Sequence, residues 1–503
     1  MTAPQRWTLI ATILASSMTF IDGTVVNVAL PALQSELHAT IVDVQWVIEA
    51  YALFLGALIL VGGALGDQLG RKRVFLAGVA VFTAASVACG AAPSPRALII
   101  ARGVQGIGAA FLVPGSLAII SATFGDDERG RAIGIWSGFS AITTAIGPVL
   151  GGWLIEHLSW RAAFYVNVPI AAIVLVLSLR WMKESHDPEA QGIDWLGAAL
   201  AVIGLGGCVL GLLELPARGI ANPLVASSLV VGVAALVAFV VAERREKHAM
   251  LPPSLFRSRT FTLANVLTLL LYAALALVVF LVPMVLIQVR RHSATFAGAA
   301  LLPLAILLFV LSGWAGGLVA RIGSRIPLTI GPIVAGVGLV LMSVFARAES
   351  YWIAMFPGAV VLGLGMSVTV APLTTTAMNA VETHRSGIAS GVNNAVARIA
   401  GLVAIAVFGV VLSQTFRARV EPKLDQLALP AAARSGIDRE LEKMAGADVG
   451  GMASLDDSGR RAVRAAIDDS FVSAFRVIMA CAAGLAFLAG GAGAAIRDGK
   501  RPR

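Results

Sequence analysis

Charge is what this 503-residue chain has least of: Asp, Glu, Lys and Arg make up 13% of it, against 58% hydrophobic residues. A water-soluble domain of ordinary size has no use for so much apolar surface, which excludes the soluble globular classes. Cysteine is nearly absent as well. Cys89, Cys208 and Cys481 fall inside apolar runs with no paired spacing, so there is no disulfide framework and no metal pattern. The six histidines, His38, His157, His186, His248, His292 and His384, are scattered over loops and span ends. No nucleophile and base share a catalytic spacing, which leaves an enzyme without support. A GxxxxGK[ST] phosphate loop is missing, so direct ATP drive is not expected. The net charge of +9 does not signal nucleic acid, because the basic residues sit in short loops rather than in one patch or tail.

What the chain does have is apolar runs of about 20 residues, each long enough to cross a hydrocarbon core of roughly 30 Å. Polar or Pro/Gly-marked breaks divide it into about fourteen helices, beginning near residues 7, 45, 74, 97, 131, 161, 193, 222, 260, 296, 327, 353, 390 and 471. The first run is too long, and too polar at its end, for a cleaved signal peptide. With the N-terminus in the cytoplasm, the inside loops, the tail "RDGKRPR" and Arg6 hold 20 Lys/Arg. The short outside loops hold 6: Arg96, Arg161, Arg218, Arg290, Arg291 and Arg347. The positive-inside rule therefore expects both termini in the cytoplasm and an even number of spans. One stretch, residues 415–470, is long, polar and mixed in charge, and reads as a partly helical external loop. Its Ser435-x-x-Asp438 and Ser454-x-x-Asp457 are read as capping boxes, the second opening a helix that runs into the last span.

The sequence also repeats itself. "GALGDQLGRK" (63–72) matches "GGLVARIGSR" (316–325), "GIGAAFLVP" (106–114) matches "GLGMSVTVAP" (363–372), and "GRAIG" (130–134) matches "GIASG" (387–391), all at a nearly constant offset. The expected organisation is an all-α integral membrane protein: a six-helix bundle over 1–185, two inserted helices over 186–250, and a second six-helix bundle over 251–503 that includes the external loop 415–470. Two parallel halves around a central cavity suit rocking about a midplane site.

Taken together, "IDGTVVNVALP" (21–31), "GGALGDQLGRKR" (62–73), "ARGVQGIGAA" (101–110), "GPVLGGWL" (147–154), "SWRAAFYVNVPI" (159–170) and "LFRSRTF" (255–261) resemble the major facilitator superfamily, and within it the fourteen-span drug/proton antiporter branch. The resemblance covers essentially the whole chain. It implies that Gly63, Gly66, Asp67, Gly70, Arg71, Lys72 and Arg73 form a gating latch holding the two halves together on the cytoplasmic side. The second copy has Ala320 where the first has an acid, so the latch is asymmetric. It also implies that Gly147, Pro148, Gly151 and Gly152 form an antiporter-type helix whose kink excludes leakage. Physically, small residues on successive turns also make a packing groove.

Ionisable residues inside the spans are few: Asp22, Glu49, Arg102 and Arg398, with Glu214 and Arg476 nearer the ends. A charge near the bilayer centre costs about 2.5 to 3.5 kcal/mol on insertion scales, so each needs a reason to be there. Counted from the outer helix ends, Asp22 lies about 8 residues in, Glu49 about 4 and Arg102 about 5, placing all three roughly 6 to 12 Å deep, where they could meet. Arg102 keeps its charge, so one acid balances it and the other is left to exchange a proton. Asp22, whose depth matches that of Arg102, is expected to have it as a partner and to exchange a proton or a cation during alternating access; which of the two acids carries the proton stays open. Arg398, beside Asn393 and Asn394, has no acid in its own half; the first half, a helix carbonyl or an anionic group on a substrate could each face it.

The resulting expectation is a proton-coupled antiporter in the cytoplasmic (inner) membrane, exporting hydrophobic, cationic drugs or amphiphiles by alternating access. No cofactor or metal is expected: the proton gradient supplies the work, since 100 mV gives about 2.3 kcal/mol per charge, or roughly fortyfold accumulation. Its partners are small substrates, protons and lipid, and an accessory envelope protein is left open. The alternatives are a dedicated exporter of one metabolite or lipid, and a receptor or scaffold of the same fold that does not transport.

Overall fold

Inside hydrocarbon every backbone N–H and C=O must be satisfied within the chain, which leaves the long apolar runs no option but helix. The computed structural model describes residues 1–186, 192–246, 251, 253–381, 386–427, 429–450, 452 and 455–496. Among these every regular element is helical. The first half consists of α1 (Ala3–Glu36), α2 (Ile41–Leu69), α3 (Arg71–Gly90), α4 (Pro95–Thr123), α5 (Asp126–His157) and α6 (Ala162–Trp181). Then come α7 (Trp195–Arg218) and α8 (Pro223–Arg245), followed by α9 (Arg259–Val289), α10 (Ala294–Ala299 and Leu302–Gly316), α11 (Arg325–Phe345), α12 (Tyr351–Asn379) and α13 (Ser386–Gln426). A short α14 (Ala431–Glu440) precedes the last helix, α15 (Asp457–Ala494). Thirteen stretches among the described residues are long and apolar enough to cross a membrane, and α5, 32 residues long, lies alongside α1 as one more. The chain is a multi-pass helical membrane protein.

Helix starts follow local chemistry. Thr2 with Gln5, and Thr40 with Asp43, form capping boxes, and Ser94, Asp194, Asn222, Ser258 and Ser293 cap the helices that follow them. Large apolar side chains such as Val230, Val237, Leu179 and Ile100 stay more than half exposed, as a lipid-facing surface requires.

The duplication shows in the packing. A Cβ on Gly106 would lie 2.5 Å from the Tyr51 carbonyl on α2, and one on Gly108 would lie 2.5 Å from the Phe82 nitrogen on α3. Their counterparts in the second copy behave alike: Gly363 abuts Leu304 on α10 at 2.8 Å and Gly365 abuts Ala335 on α11 at 2.3 Å. Thus α4 leans on α2 and α3 as α12 leans on α10 and α11. The first six helices and the last six meet along α2 with α13 and along α5 with α10. The inserted α7 and α8 pack on each other, and α7 covers the α2–α13 seam.

Both described chain ends lie at one end of the bundle, hereafter the terminal side. The Met1 amino group pairs with Glu128 at the start of α5, and Gly493 rests on Leu328 at the start of α11. At the opposite, far side the halves are joined. Gln288 donates to Gln34 at 2.8 Å, and Thr295 N–H donates to Glu156 at 3.2 Å.

The polar stretch 415–470 is not one loop. Residues 415–426 continue α13, which is 41 residues long, and 457–470 begin α15, which is 38 residues long. At about 1.5 Å per residue both overshoot a 30 Å core and project beyond it. Lys423 on α13 pairs with Asp469 on α15 in the projecting part, and Phe416 packs edge-on to Phe471. Charges that read as loop are the solvated ends of helices, so α15 starts 14 residues before the expected 471. The Ser435 box does not open a helix, since α14 begins at Ala431 after Pro430 and Ser435 lies inside it. Ser454 lies outside the described residues; Asp456 caps α15. Arg385, Lys247 and the basic tail counted toward orientation also lie outside the described residues.

Candidate functional site

The carboxylate of Asp22 is completely buried on α1 and is fully engaged. Arg102 on α4 donates from Nη1 to Asp22 Oδ2 at 2.5 Å, and Gln105, one turn along, donates from Nε2 to Asp22 Oδ1 at 2.8 Å. The three-residue step between Arg102 and Gln105 puts both on one face of α4. Arg102 also donates to Gln105 Oε1 at 2.7 Å and, through Nε, to the Val47 carbonyl on α2 at 3.0 Å. Its guanidinium lies 4.1 Å from the Tyr51 ring centroid. Beyond it the chain of bonds continues: Gln105 Nε2 to Ser86 at 3.3 Å, Asn167 to Ser86 at 3.0 Å, and Ser86 to the Phe164 carbonyl at 2.8 Å. One polar network therefore ties α1, α2, α3, α4 and α6 together. A buried network of this kind is rigid around its charge pair, and removing one charged partner is far costlier than replacing both.

Glu49 does not join it. The expected depths were too shallow, because the helices are longer than their apolar parts: Asp22 lies 14 residues from the far end of α1 and Arg102 lies 7 from that of α4. Glu49 lies 8 residues into α2 and faces another way. It shares a helical face with Gln45, against which Gly409 of α13 packs, and with Leu53, which packs with Leu402 and Ala406. Glu49 is therefore at the seam between the halves. It is 0% exposed, and neither carboxyl oxygen has a hydrogen-bond partner. One turn toward the far side, Gln45 and Gly409 line a cavity of about 340 Å³ between α2, α7, α13 and the segment after α14.

Arg398 on α13 packs its Cβ 3.7 Å from where a Cβ on Gly56 would be. Its guanidinium lies within electrostatic reach of Tyr51 on α2 and Tyr272 on α9. Asn393 is committed within its own half, donating to Thr268 at 2.7 Å and Asn265 at 3.2 Å on α9. Asn394 is exposed on the same helix.

The glycine face of α5 is a contact surface on both sides. A Cβ on Gly147 would meet Thr24 Oγ1 at 2.0 Å, and one on Gly151 would meet Val25 at 2.9 Å, both on α1 beside Asp22. Gly152 instead faces the second half, 2.4 Å from the Ala294 carbonyl of α10, and Gly298 of α10 sits against the Pro148 carbonyl. These residues make the far-side seam.

The α2–α3 loop does not bridge the halves in this state. Asp67 accepts from Arg71 at 2.8 Å, Lys72 Nζ donates to the Met182 carbonyl at 2.7 Å, and the Lys72 N–H donates to Glu184 at 3.0 Å. Arg73 lies 3.8 Å from Glu184, and the Arg71 N–H donates to the Ser185 carbonyl at 2.8 Å. Gly70, at φ 106°, makes the sharp turn. Gly63 packs on Pro114 and Gly66 on Arg71. Among the described residues every partner of this loop lies in the first half, and on the terminal side these residues hold α3 to the end of α6.

Gln105, Ser86, Asn167 and Tyr51 are the site residues that sequence reasoning missed. The signal for Gln105 was its three-residue spacing from Arg102. Among the described residues no group of three His, Cys, Asp or Glu is placed to hold a metal.

Residues 12–405 match the model of the Major Facilitator Superfamily. The multidrug resistance protein Stp of Mycobacterium tuberculosis is 35% identical, over 97% of this chain and 92% of that protein. The tetracenomycin C resistance and export protein of Streptomyces glaucescens is 31% identical over 81% and 76%. The puromycin resistance protein of Streptomyces alboniger is 33% identical over 81% and 82%. Among solved structures, a bacterial homologue of the human lysosomal transporter Spinster, inward-facing and unoccupied, superposes with a TM-score of 0.67 over 98% of each chain at 17% identity, a likeness of fold alone. The duplicated halves, the paired charges of α1 and α4 and these matches agree: the chain belongs to the Major Facilitator Superfamily, a family of transporters and not of enzymes.

Proposed function

We propose that this protein exports small hydrophobic compounds, drugs among them, across the cytoplasmic membrane in exchange for protons, with both termini in the cytoplasm and Glu49 as the residue that exchanges the proton. The drug-resistance relatives support the export of drugs, and the excess of basic residues in the terminal-side loops supports the orientation.

Proton exchange rests on one observation: Glu49 is wholly buried at the seam between the halves with neither oxygen partnered. An ionised carboxylate there would be a buried charge without a counter-charge, costing several kcal/mol, so the neutral acid is the form that fits this closed seam. Asp22 is the opposite case, a carboxylate already balanced by Arg102 and Gln105. Closing the far side thus requires a proton on Glu49, taken from outside through the cavity that ends at Gln45. A substrate arriving from the terminal side then displaces that proton inward, and the ionised acid favours reopening of the far side to water. A hydrophobic cation, the substrate class expected from sequence, can compete with the proton for this one carboxylate, which is exchange in its simplest form.

The experiment is dye accumulation in inverted membrane vesicles, driven by an imposed pH gradient, with several unrelated lipophilic dyes. Export predicts that several dyes accumulate, that a protonophore abolishes it, and that Glu49→Gln does too. Accumulation of one compound alone supports a dedicated exporter, and gradient-independent accumulation contradicts proton coupling.

A further inference from the structure

We propose that Arg398 is the docking point for an acidic group on the transported molecule, so that the substrates include hydrophobic acids and zwitterions as well as cations. This rests on the export function proposed above and names a substrate class for it.

Among the described residues, the other arginines held deep between the helices have partners. Arg102 is neutralised by Asp22, and Arg464, nearer the far side, is spent on the carbonyls of Gln288, Ala445 and Ala447 and on Asp468. Arg398 differs: it has no hydrogen bond and no ion pair among the described residues. It is nevertheless about 12 residues, or roughly 18 Å, from the terminal-side start of α13, near the middle of the core.

The surroundings hold the guanidinium without satisfying it. Its stem passes over Gly56, whose missing side chain leaves the room. Ala395 shares a buried apolar cluster with Tyr51 and Leu55 of α2, and Ile399 packs against another that includes Leu53 of α2. Tyr51 and Tyr272, one in each half, lie within electrostatic reach of the head. Tyr51 is itself immobilised, its ring stacked under Arg102 and its hydroxyl donating to the Thr19 carbonyl at 3.4 Å. Glu49 is seven residues from Gly56 along α2, about 10 Å by helical rise, and no ion pair joins it to Arg398. The residue is only partly buried, so its head is not sealed off by the surrounding side chains.

A guanidinium offers five N–H donors in a planar fork that matches a carboxylate or sulfonate, and aromatic walls suit an apolar body attached to such a group. A substrate bound by both halves through Tyr51, Tyr272 and Arg398 also senses their relative movement. Glu49 and Arg398 together can hold a zwitterion.

Two probes sharing one fluorophore test this: dansylglycine, an acid, and dansylcadaverine, a cation. Their binding to the purified full-length protein, and their accumulation in inverted vesicles, are compared for the parent, Arg398→Gln and Arg398→Lys. The proposal predicts that Arg398→Gln weakens dansylglycine binding at least about tenfold, as loss of a charge-assisted pair would. Dansylcadaverine should change less than about twofold, and Arg398→Lys should restore part of the acid's affinity. Equal loss of both probes means a structural role and overturns the proposal, as does an unchanged dansylglycine affinity or a parent protein that does not bind it. If dansylcadaverine still accumulates in those cases, the export function stands without the acidic site. If the acid binds through Arg398 but neither probe accumulates, the site stands and export fails.

Discussion

Asp22 and Glu49 are both carboxyl groups buried in the first half, and the difference between them is what surrounds each oxygen. Asp22 receives a guanidinium on one oxygen and an amide on the other; Glu49 receives nothing. Neutralising Asp22 as Asp22→Asn leaves Arg102 as a buried charge without its partner, which should cost about 3 to 5 kcal/mol. The measurement is thermal unfolding of the purified protein, expected to fall clearly for Asp22→Asn and to recover in the double variant Asp22→Asn/Arg102→Met, where no charge is left. Glu49→Gln should leave the unfolding temperature nearly unchanged, because a neutral amide replaces a neutral acid of the same shape. The pairing of Asp22 with Arg102 was legible in the sequence, since two opposite charges at similar depth in apolar helices have few alternatives. The isolation of Glu49 was not. It depends on which way α2 turns its ninth residue, and hydrophobicity on every face of a helix leaves that rotation unmarked. Ser86 and Asn167 were equally hidden, because neutral polar residues are common in spans and only contact distinguishes a network from packing.

Among the elements, α5 and the segment after α14 pack into the contacts that join the halves on the far side. Gly152 faces the backbone of Ala294 and Thr295, so a Cβ there has nothing flexible to push aside. Gly152→Val should wedge α5 from α10, reduce export, and raise several-fold the labelling of a cysteine placed at Thr295 by a membrane-impermeant maleimide. Gly484→Val is the control, since nothing lies within 4 Å of a Cβ at that site. The 3₁₀ turn Leu441–Gly446 sits between the far ends of α1 and α9: Gln34 donates to the Lys443 carbonyl at 3.1 Å, and a Cβ on Gly446 would lie 2.6 Å from Gln34 Oε1. A cysteine pair at Gln34 and Gly446 should therefore oxidise readily and stop export, with reductant restoring it; export that continues while cross-linked would show that this turn stays put during the cycle. The glycines of α5 could be picked out from sequence, but their two faces could not. The turn after α14 was visible only as polarity, because hydropathy reports contact with lipid and is silent on helices that extend into water.

At the scale of the molecule, two duplicated bundles meet along α2–α13 and α5–α10, closed on the far side, with α7 laid over the α2–α13 seam. The repeat, the number of spans and their boundaries up to α13 follow from period and hydropathy, which are local properties. Which state of the cycle the helices adopt is a small difference between two packings of the same surfaces, and no local pattern records it. On the proposed function, Glu49 sits where that difference is felt, in the seam between the two halves. The most direct test is the proton itself: substrate added to the purified protein in weakly buffered solution, with pH followed by an indicator dye, for the parent, Glu49→Gln and Glu49→Asp. The parent and Glu49→Asp should release a proton on binding substrate, and Glu49→Gln should bind it and release none. Proton release from Glu49→Gln equal to that of the parent would contradict the assignment and return the proton to another group.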